Sequence, residues 1–167
     1  MMDIENRPKL KIPKTKMEWL ADGIGYLSLV SIFIILIMQW GALPEEIPAH
    51  FGANGEVDRW GSKWELLILP GIAIGLNIFL KILEKFPQVH NYPERLNESN
   101  VVAFYTNSRQ AINYMKNIIN LLFAYLVYNT ISIALSGADT LGWPFYCIMG
   151  LLFVVLGWKI VKSMKIK

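Results

Sequence analysis

The stretch WLADGIGYLSLVSIFIILIMQW, residues 19–40, decides the fold class of this 167-residue chain. At about 1.5 Å per residue, a helix of this length spans roughly 33 Å, enough to cross the hydrocarbon core of a bilayer. Its apolar residues do not follow one face, as they would on a surface helix of a soluble protein. Its length, and the absence of an A-x-A cleavage site before Pro44, favour a membrane span over a cleaved signal peptide.

Three further windows share this composition, at about residues 65–84, 117–136 and 141–159. The whole chain is 54% hydrophobic and only 17% charged, and the charges are crowded between the windows. We therefore predict an all-α integral membrane protein: one four-helix membrane domain over residues 19–161, with a structured extracytoplasmic loop between helices 1 and 2.

The basic residues predict the orientation of these spans. Of the sixteen Lys and Arg residues, two lie in the loop 41–64, and the other fourteen lie in or beside the N-terminal segment 1–18, the connection 85–116 and the tail 162–167. The positive-inside rule then places both termini in the cytoplasm and the loop outside. The formal charge of +3 gives no argument for a nucleic-acid partner.

The connection 85–116 contains a predicted helix. Asn97 is a plausible N-cap, and nothing breaks a helix from there into the third span. We expect one continuous rod whose first part is an amphipathic helix exposed to solvent or, alternatively, a docking surface for a partner. Pro93 ends any helix before it.

Ionisable residues are predicted to stay near the membrane surfaces. Asp22 lies close to the cytoplasmic edge, where Lys16 or Lys159 is its expected partner, and Lys159 is expected to extend towards the interface. The lack of a deeper charge argues against an ion-coupled transporter. Within the spans, polar contacts between helices are expected from Asn77, Asn120 and Asn129, and a close helix contact from Gly71 and Gly75.

The loop LPEEIPAHFGANGEVDRWGSKWE, residues 43–65, is too rich in prolines, glycines and charged residues to be an unstructured connector. Pro44 and Pro48 prevent the first span from continuing as helix. An Asn-Gly pair in the middle predicts a hairpin or hairpin-like loop over residues 47–60.

Five residues of this loop have predicted structural roles. Asn54 and Gly55 would supply two consecutive positive φ angles in a tight turn. Gly61 ends the hairpin. Ser62 and Glu65 have the S-x-x-E spacing of a capping box, which would start the second span.

A hairpin does not by itself explain His50, Asp58, Arg59, Trp60 and Lys63, and three interpretations remain open. His50 and Asp58 could form a hydrogen bond across the hairpin and stiffen a lid over the bundle. They could instead bind a ligand, a peptide or a cation. The third interpretation, a general base or a metal ligand, has the least support, since a catalytic zinc normally needs three protein ligands. His90 is predicted on the other side of the membrane and cannot join His50 in one metal site. We therefore expect no metal, no cofactor and no catalytic residue.

The loop closely resembles the motif LP-x-x-IP-x-H-[FW] followed by G-x-x-D-x-[WY]-G-S-K of the bacterial membrane family called domain of unknown function 1648. The matching residues are Leu43, Pro44, Ile47, Pro48, His50, Phe51, Gly55, Asp58, Trp60, Gly61, Ser62 and Lys63. The chain departs from the motif at Gly52, where many members carry Asn. The resemblance covers the first two spans and this loop.

The resemblance implies a multi-pass protein of the bacterial cytoplasmic membrane. The same domain begins the longer SdpI-type immunity proteins, which protect bacteria from a secreted toxic peptide and can act as signalling receptors. A non-enzymatic protein of the immunity or sensing kind is therefore the leading expectation. Its expected partners are the lipid bilayer and either a secreted peptide or a partner membrane protein. The alternatives are a membrane enzyme or small-solute transporter using the same loop, and an accessory subunit of a larger complex.

Overall fold

The computed structural model describes residues 4–167 and contains four long helices. They are α1 (Lys16–Gln39), α2 (Ile68–Lys85), α3 (Val101–Ser136) and α4 (Trp143–Met164). Each of them, counted with its adjoining 3-10 turns, is long and apolar enough to cross a membrane. The predicted four-helix membrane fold is therefore confirmed.

The loop between α1 and α2 forms the only sheet in residues 4–167. It consists of two antiparallel strands, β1 (Glu46–Phe51) and β2 (Val57–Ser62), which confirm the predicted hairpin. Ile47 pairs with Gly61, and the register shifts on either side of His50, because Ala49 of β1 and Asp58 of β2 have no partner in the pairing. A 3-10 turn, Lys63–Leu67, leads from β2 into α2. We call the end of the bundle that carries this sheet the hairpin end.

The other end of the bundle carries the first and last described residues, and we call it the terminal end. There α3 extends beyond α1 and α2, and it is one continuous helix of 36 residues, as predicted. One face of its first turns is buried: Phe104 and Tyr105 pack against Leu10, Ile12, Tyr92 and Ile166, whereas Val102 is 54% exposed. The extension is therefore exposed on one face only, because other segments of the same chain cover its apolar face.

The central helix is α3, and α1, α2 and α4 all pack against it. Nearer the hairpin end, the apolar core joins three helices to the hairpin; its buried members are Ile32, Leu36, Leu43, Ile47, Leu66, Ala73, Ala124, Val127 and Ile131. By contrast, α4 buries only one residue, Lys159. Most large side chains of α4 therefore face outwards, as expected for a helix in contact with lipid.

Several local predictions are corrected. The N-cap of α3 is Asn100 rather than Asn97, whose side chain instead accepts hydrogen bonds from Ser99. Gly71 and Gly75 mark no close helix contact within the described chain, because a Cβ on either would meet open space, so a contact between two chains is the alternative that stays a prediction.

Candidate functional site

The turn of the hairpin depends on one left-handed residue rather than two. Gly55 has a φ of 79°, whereas no residue other than glycine has a positive φ among the described residues. Asn54 contributes differently from the prediction, since its side-chain oxygen accepts from the Glu56 backbone N–H at 3.1 Å. A Cβ on Gly55 would also lie 2.6 Å from the Tyr146 hydroxyl, so both conformation and space require glycine.

The hairpin is fastened to the loop between α3 and α4 by backbone hydrogen bonds. The Val57 N–H donates to the Asp139 carbonyl at 3.0 Å, and the Leu141 N–H donates to the Gly55 carbonyl at 2.9 Å. Tyr125 of α3 donates to the Leu141 carbonyl as well. No local pattern in the sequence predicts these contacts, which link loops about eighty residues apart.

Apolar burial provides the second attachment of the hairpin. Ile47, on β1, is 1% exposed and lies within the core between the helices, and Leu43 just before the strand is also buried. The transfer of a side chain of this size from water into a core contributes about 1.5–3 kcal/mol. Ile47 therefore anchors the strand from below.

His50 and Asp58 meet on the surface of the hairpin. The His50 Nδ1 lies 2.6 Å from the Asp58 Oδ1, and the two side chains are 64% and 49% exposed. An ion pair or charged hydrogen bond this exposed contributes only about 0–1 kcal/mol. The attachments described above therefore hold the hairpin, and this contact chiefly orients the imidazole ring.

Arg59 and Glu65 form a second pair next to it. The Arg59 Nη2 lies 2.8 Å from the Glu65 Oε2, and it also donates to the Ala49 carbonyl at 3.4 Å. The pair passes directly over Gly61, where a Cβ would lie 2.2 Å from the Glu65 Oε1. Gly61 is thus needed for this close approach. The prediction that it ends the hairpin is wrong, because it pairs with Ile47 and β2 continues to Ser62.

The predicted capping at Ser62 is confirmed in part. Ser62 is the N-cap of the 3-10 turn, but its hydroxyl accepts from the Trp64 N–H at 3.4 Å and not from Glu65, whose carboxylate is held chiefly by Arg59. Lys63, also predicted to belong to the site, pairs instead with Glu45 at 2.8 Å.

The remaining loop residues lie around this group of pairs. Trp60 is half exposed on β2 and pairs in register with Pro48, which is buried. Pro44 is exposed ahead of β1. None of these three contributes a charge.

A cavity of about 340 Å³ opens beneath the hairpin. Its polar side is lined by His50, Arg59 and Glu65. Most of the rest is apolar and comes from the hairpin, the following 3-10 turn and three helices; it includes Leu66, Leu69, Leu126 and Phe145. A volume near 300 Å³ and an apolar lining with a few polar groups are typical of small ligand sites. The structure thus brings two predicted site residues, His50 and Arg59, together with Glu65, which was predicted only as part of a capping box, at the rim of one cavity. This cavity is the candidate site.

A second polar site lies inside the terminal end of the bundle. The Lys116 Nζ is completely buried and lies 2.8 Å from the Asp22 Oδ1 and 2.9 Å from the Glu84 Oε2. Lys14 pairs with the same two carboxylates. Burial alone would lower the pKa of Lys14, but its hydrogen bonds to these carboxylates outweigh this effect and raise it. We call these four residues the charge cluster; Lys16 and Lys159 are not the partners of Asp22, contrary to the prediction.

Two more buried contacts extend the polar region. Arg109 donates from Nε and Nη2 to the two oxygens of Glu18, each at 3.0 Å, and Glu18 also completes a capping box with Thr15 at the start of α1. The predicted extension of Lys159 towards the interface is wrong: it is 2% exposed and donates to the Gln110 side chain at 2.6 Å.

Amide side chains of α3 line the interior above the charge cluster. Asn113 and Asn117 donate to Asp22 at 2.9 Å and 3.0 Å. Asn120 and Asn77 are also buried, but the Nδ2 of each lacks a hydrogen-bond partner among residues 4–167. Asn120 lies seven residues after Asn113 on α3, and Asn77 lies seven residues before Glu84 on the antiparallel helix α2. Each is therefore about 10 Å along the bundle from the charge cluster. The expected contacts of these two asparagines are therefore not formed within the chain. Asn129 donates to the Thr140 carbonyl in the loop that follows α3.

His90 lies at the terminal end, far from His50. The His90 Nε2 lies 2.9 Å from the Leu83 carbonyl, so it donates there, while Nδ1 accepts from the Ser108 hydroxyl. Burial lowers the pKa of His90 below its ordinary value. The ring is therefore held in its neutral form as part of the structure.

The chain is similar to known proteins over part of its length. Residues 27–74 match the family model described as Domain of unknown function (DUF1648), which confirms the resemblance carried by the loop motif. An uncharacterized protein from Archaeoglobus fulgidus is 37% identical over 86 residues, which cover 50% of this chain and 45% of that relative. The chain thus matches less than half the length of that archaeal relative. No solved structure matches the chain.

Proposed function

We propose that this four-helix membrane protein, which carries the DUF1648 domain over residues 27–74, is a non-enzymatic protein of the immunity or sensing kind. In this proposal, the cavity beneath the hairpin binds part of an extracellular peptide. The hairpin end faces outwards and both termini lie in the cytoplasm of a prokaryotic cell. The positive-inside distribution of fourteen against two basic residues supports this orientation.

The observation that carries the proposal is the construction of the cavity rim. His50, Arg59 and Glu65 line the cavity, although the hairpin is held by backbone hydrogen bonds and by Ile47. These polar groups contribute little to the fold and surround an apolar floor. Such a cavity can accommodate part of a peptide. An apolar side chain would enter the cavity, and the peptide backbone or its charges would contact the rim.

A cavity-filling substitution tests the proposal without altering any rim charge. Leu126→Trp places a larger side chain in the cavity wall, whereas Leu27→Trp makes the same change on a residue of α1 that is 73% exposed and faces outwards. A deletion strain complemented with each variant is challenged with medium conditioned by the parent strain. We expect growth with the wild type and with Leu27→Trp, and growth inhibition with Leu126→Trp. Equal protection by both variants would contradict a role for the cavity.

Substitutions at the rim then separate binding from stability. His50→Ala and Asp58→Ala should leave the unfolding temperature in detergent within about 2 °C of the wild type, because their contact is exposed. Protection from the conditioned medium should be lost in both. A large loss of stability with the single changes, and a smaller further loss in the double variant, would instead assign them to fastening the lid.

A small-solute transporter is a second candidate, and the charge cluster is the observation that favours it. Buried ionisable groups inside a bundle often mark an ion or proton pathway. Here the four charges balance and are mutually paired, which favours a structural role. Proton uptake by proteoliposomes that is present in the wild type and abolished by Asp22→Asn would establish the transporter and displace the sensing proposal.

A further inference from the structure

A second cavity, of about 460 Å³, lies at the terminal end, on the far side of the bundle from the hairpin. It is bounded by the segment 10–14, by the last turns of α2 and by α3. Five cationic side chains and one carboxylate line it: Lys11, Lys14, Lys81, Lys85, Arg109 and Glu84. This cavity is therefore much more basic than the chain as a whole.

Only two of these five cations are paired with carboxylates within the described chain. Lys14 pairs with Asp22 and Glu84, and Arg109 is bound to Glu18. The other three cations, Lys11, Lys81 and Lys85, form no ion pair with a carboxylate in the described chain, residues 4–167. The cavity thus presents three ammonium groups whose charge is not balanced by an acid.

An exposed apolar surface adjoins the cavity. The outward face of α2 directly above it is apolar, since Ile78, Phe79 and Ile82 are all more than half exposed. Lys81 follows this face, with its Nζ 5.7 Å from the centroid of the Tyr26 ring. An acyl chain lying along α2 would therefore bring its headgroup to the lysines.

We propose that this cavity binds the phosphate of an anionic phospholipid from the leaflet at the terminal end. Lysine ammonium groups donate charge-assisted hydrogen bonds to phosphate oxygens, and basic pockets beside membrane helices bind anionic headgroups. The apolar face of α2 favours a lipid over free phosphate as the source of this group. The site does not depend on the ligand of the hairpin end or on the orientation of the protein.

Lipid titration of the full chain tests the proposal. The delipidated protein in a neutral maltoside detergent is titrated with dioctanoyl phosphatidylglycerol, and bound lipid is counted by native mass spectrometry. In a variant with Lys11→Gln, Lys81→Gln and Lys85→Gln, we expect affinity about tenfold weaker or worse, since each basic residue near an anionic lipid surface contributes substantially. Dioctanoyl phosphatidylcholine should bind the wild type and this variant equally weakly.

A matched control removes three charges from the same end of the protein. Lys162→Gln, Lys165→Gln and Lys167→Gln lie outside the cavity lining and should leave phosphatidylglycerol affinity unchanged. An equal loss in both triple variants would overturn the site, because it would show attraction by overall charge alone. Stabilisation by inorganic phosphate matching that by phosphatidylglycerol would overturn the lipid as the source.

Folding of the cavity variant is checked without lipid. Its unfolding temperature in maltoside should equal that of the wild type, since the three lysines form no ion pair in the fold. If the triple variant is unstable, the exposed Lys85→Gln alone should still weaken phosphatidylglycerol binding. Unchanged affinity in that single variant would then refute the proposal.

Discussion

Replacement of Lys116 by methionine is the sharpest test of the structure at the terminal end. Methionine has nearly the same volume and length, so the change removes the charge and leaves the packing almost intact. In the wild type, the Lys116 Nζ lies within 2.9 Å of both Asp22 and Glu84. In the variant, two carboxylates that are each 3% exposed share the single ammonium group of Lys14.

The expected cost follows from the burial of these groups. Removal of one partner from a buried ion pair costs about 3–5 kcal/mol, because the remaining charge stays out of water without compensation. For a chain of this size, each kcal/mol corresponds to roughly 2–4 °C in unfolding temperature. Lys116→Met should therefore lower the unfolding temperature in detergent by about 6–20 °C.

A second change should restore the balance. In the double variant Lys116→Met, Glu84→Gln, one lysine faces one aspartate, and most of the lost stability should return. Lys162→Met, on an exposed part of α4, is the matched control and should change the unfolding temperature little. The assay is the loss of helical circular dichroism on heating in maltoside. A decrease no larger than that of Lys162→Met, or a double variant less stable than the single, would refute the charge cluster as described.

Three further predictions concern other parts of the chain. Gly55→Val should cost about 1–2 kcal/mol through the left-handed backbone alone, and faster proteolysis of the hairpin measures it; an unchanged rate would mean that the turn is absent. Since burial lowers the pKa of His90 from its ordinary 6.5, protonation favours the unfolded chain. Thermal stability should be complete above about pH 6.5 and fall below it, and His90→Gln should flatten this dependence. Single cysteines at Ala53 and Ser99, in a background lacking Cys147, should respectively be labelled and not labelled from outside intact cells by an impermeant thiol reagent, and labelling at Ser99 would reverse the orientation.

The hairpin and the four helices could be predicted because their signals are local. Long apolar windows identify spans without any knowledge of what packs against them. The Asn-Gly pair, with two prolines before it and a Gly-Ser pair after it, likewise predicts a hairpin. The errors there are local: in the hairpin turn only Gly55 takes a positive φ, and the Ser62 hydroxyl accepts from Trp64 rather than from Glu65.

The charge cluster was missed because its members are far apart in sequence. Lys116 joins Asp22 and Glu84 across separations of 94 and 32 residues, which no local pattern reveals. Two weaker signals were present. Thr15 and Glu18 have the spacing of a capping box, and a polar stripe at helical spacing runs along one face of α3, through Arg109, Asn113, Lys116, Asn117 and Asn120. In a helix assigned to the membrane, such a stripe predicts an interior surface rather than solvent exposure.

Polar contacts and apolar contacts have different roles at the two ends of this bundle. Lipid is as apolar as leucine, so packing alone gives adjacent membrane helices little preference for one register, whereas a buried charge pair permits only one. The charge cluster therefore fixes α1 and α2 against α3 at the terminal end. At the hairpin end, the register is set by Ile47 and by backbone hydrogen bonds to the loop that precedes α4. The charged side chains of the hairpin are thus not required to hold the helices together, which leaves them available for a ligand at the rim of the cavity.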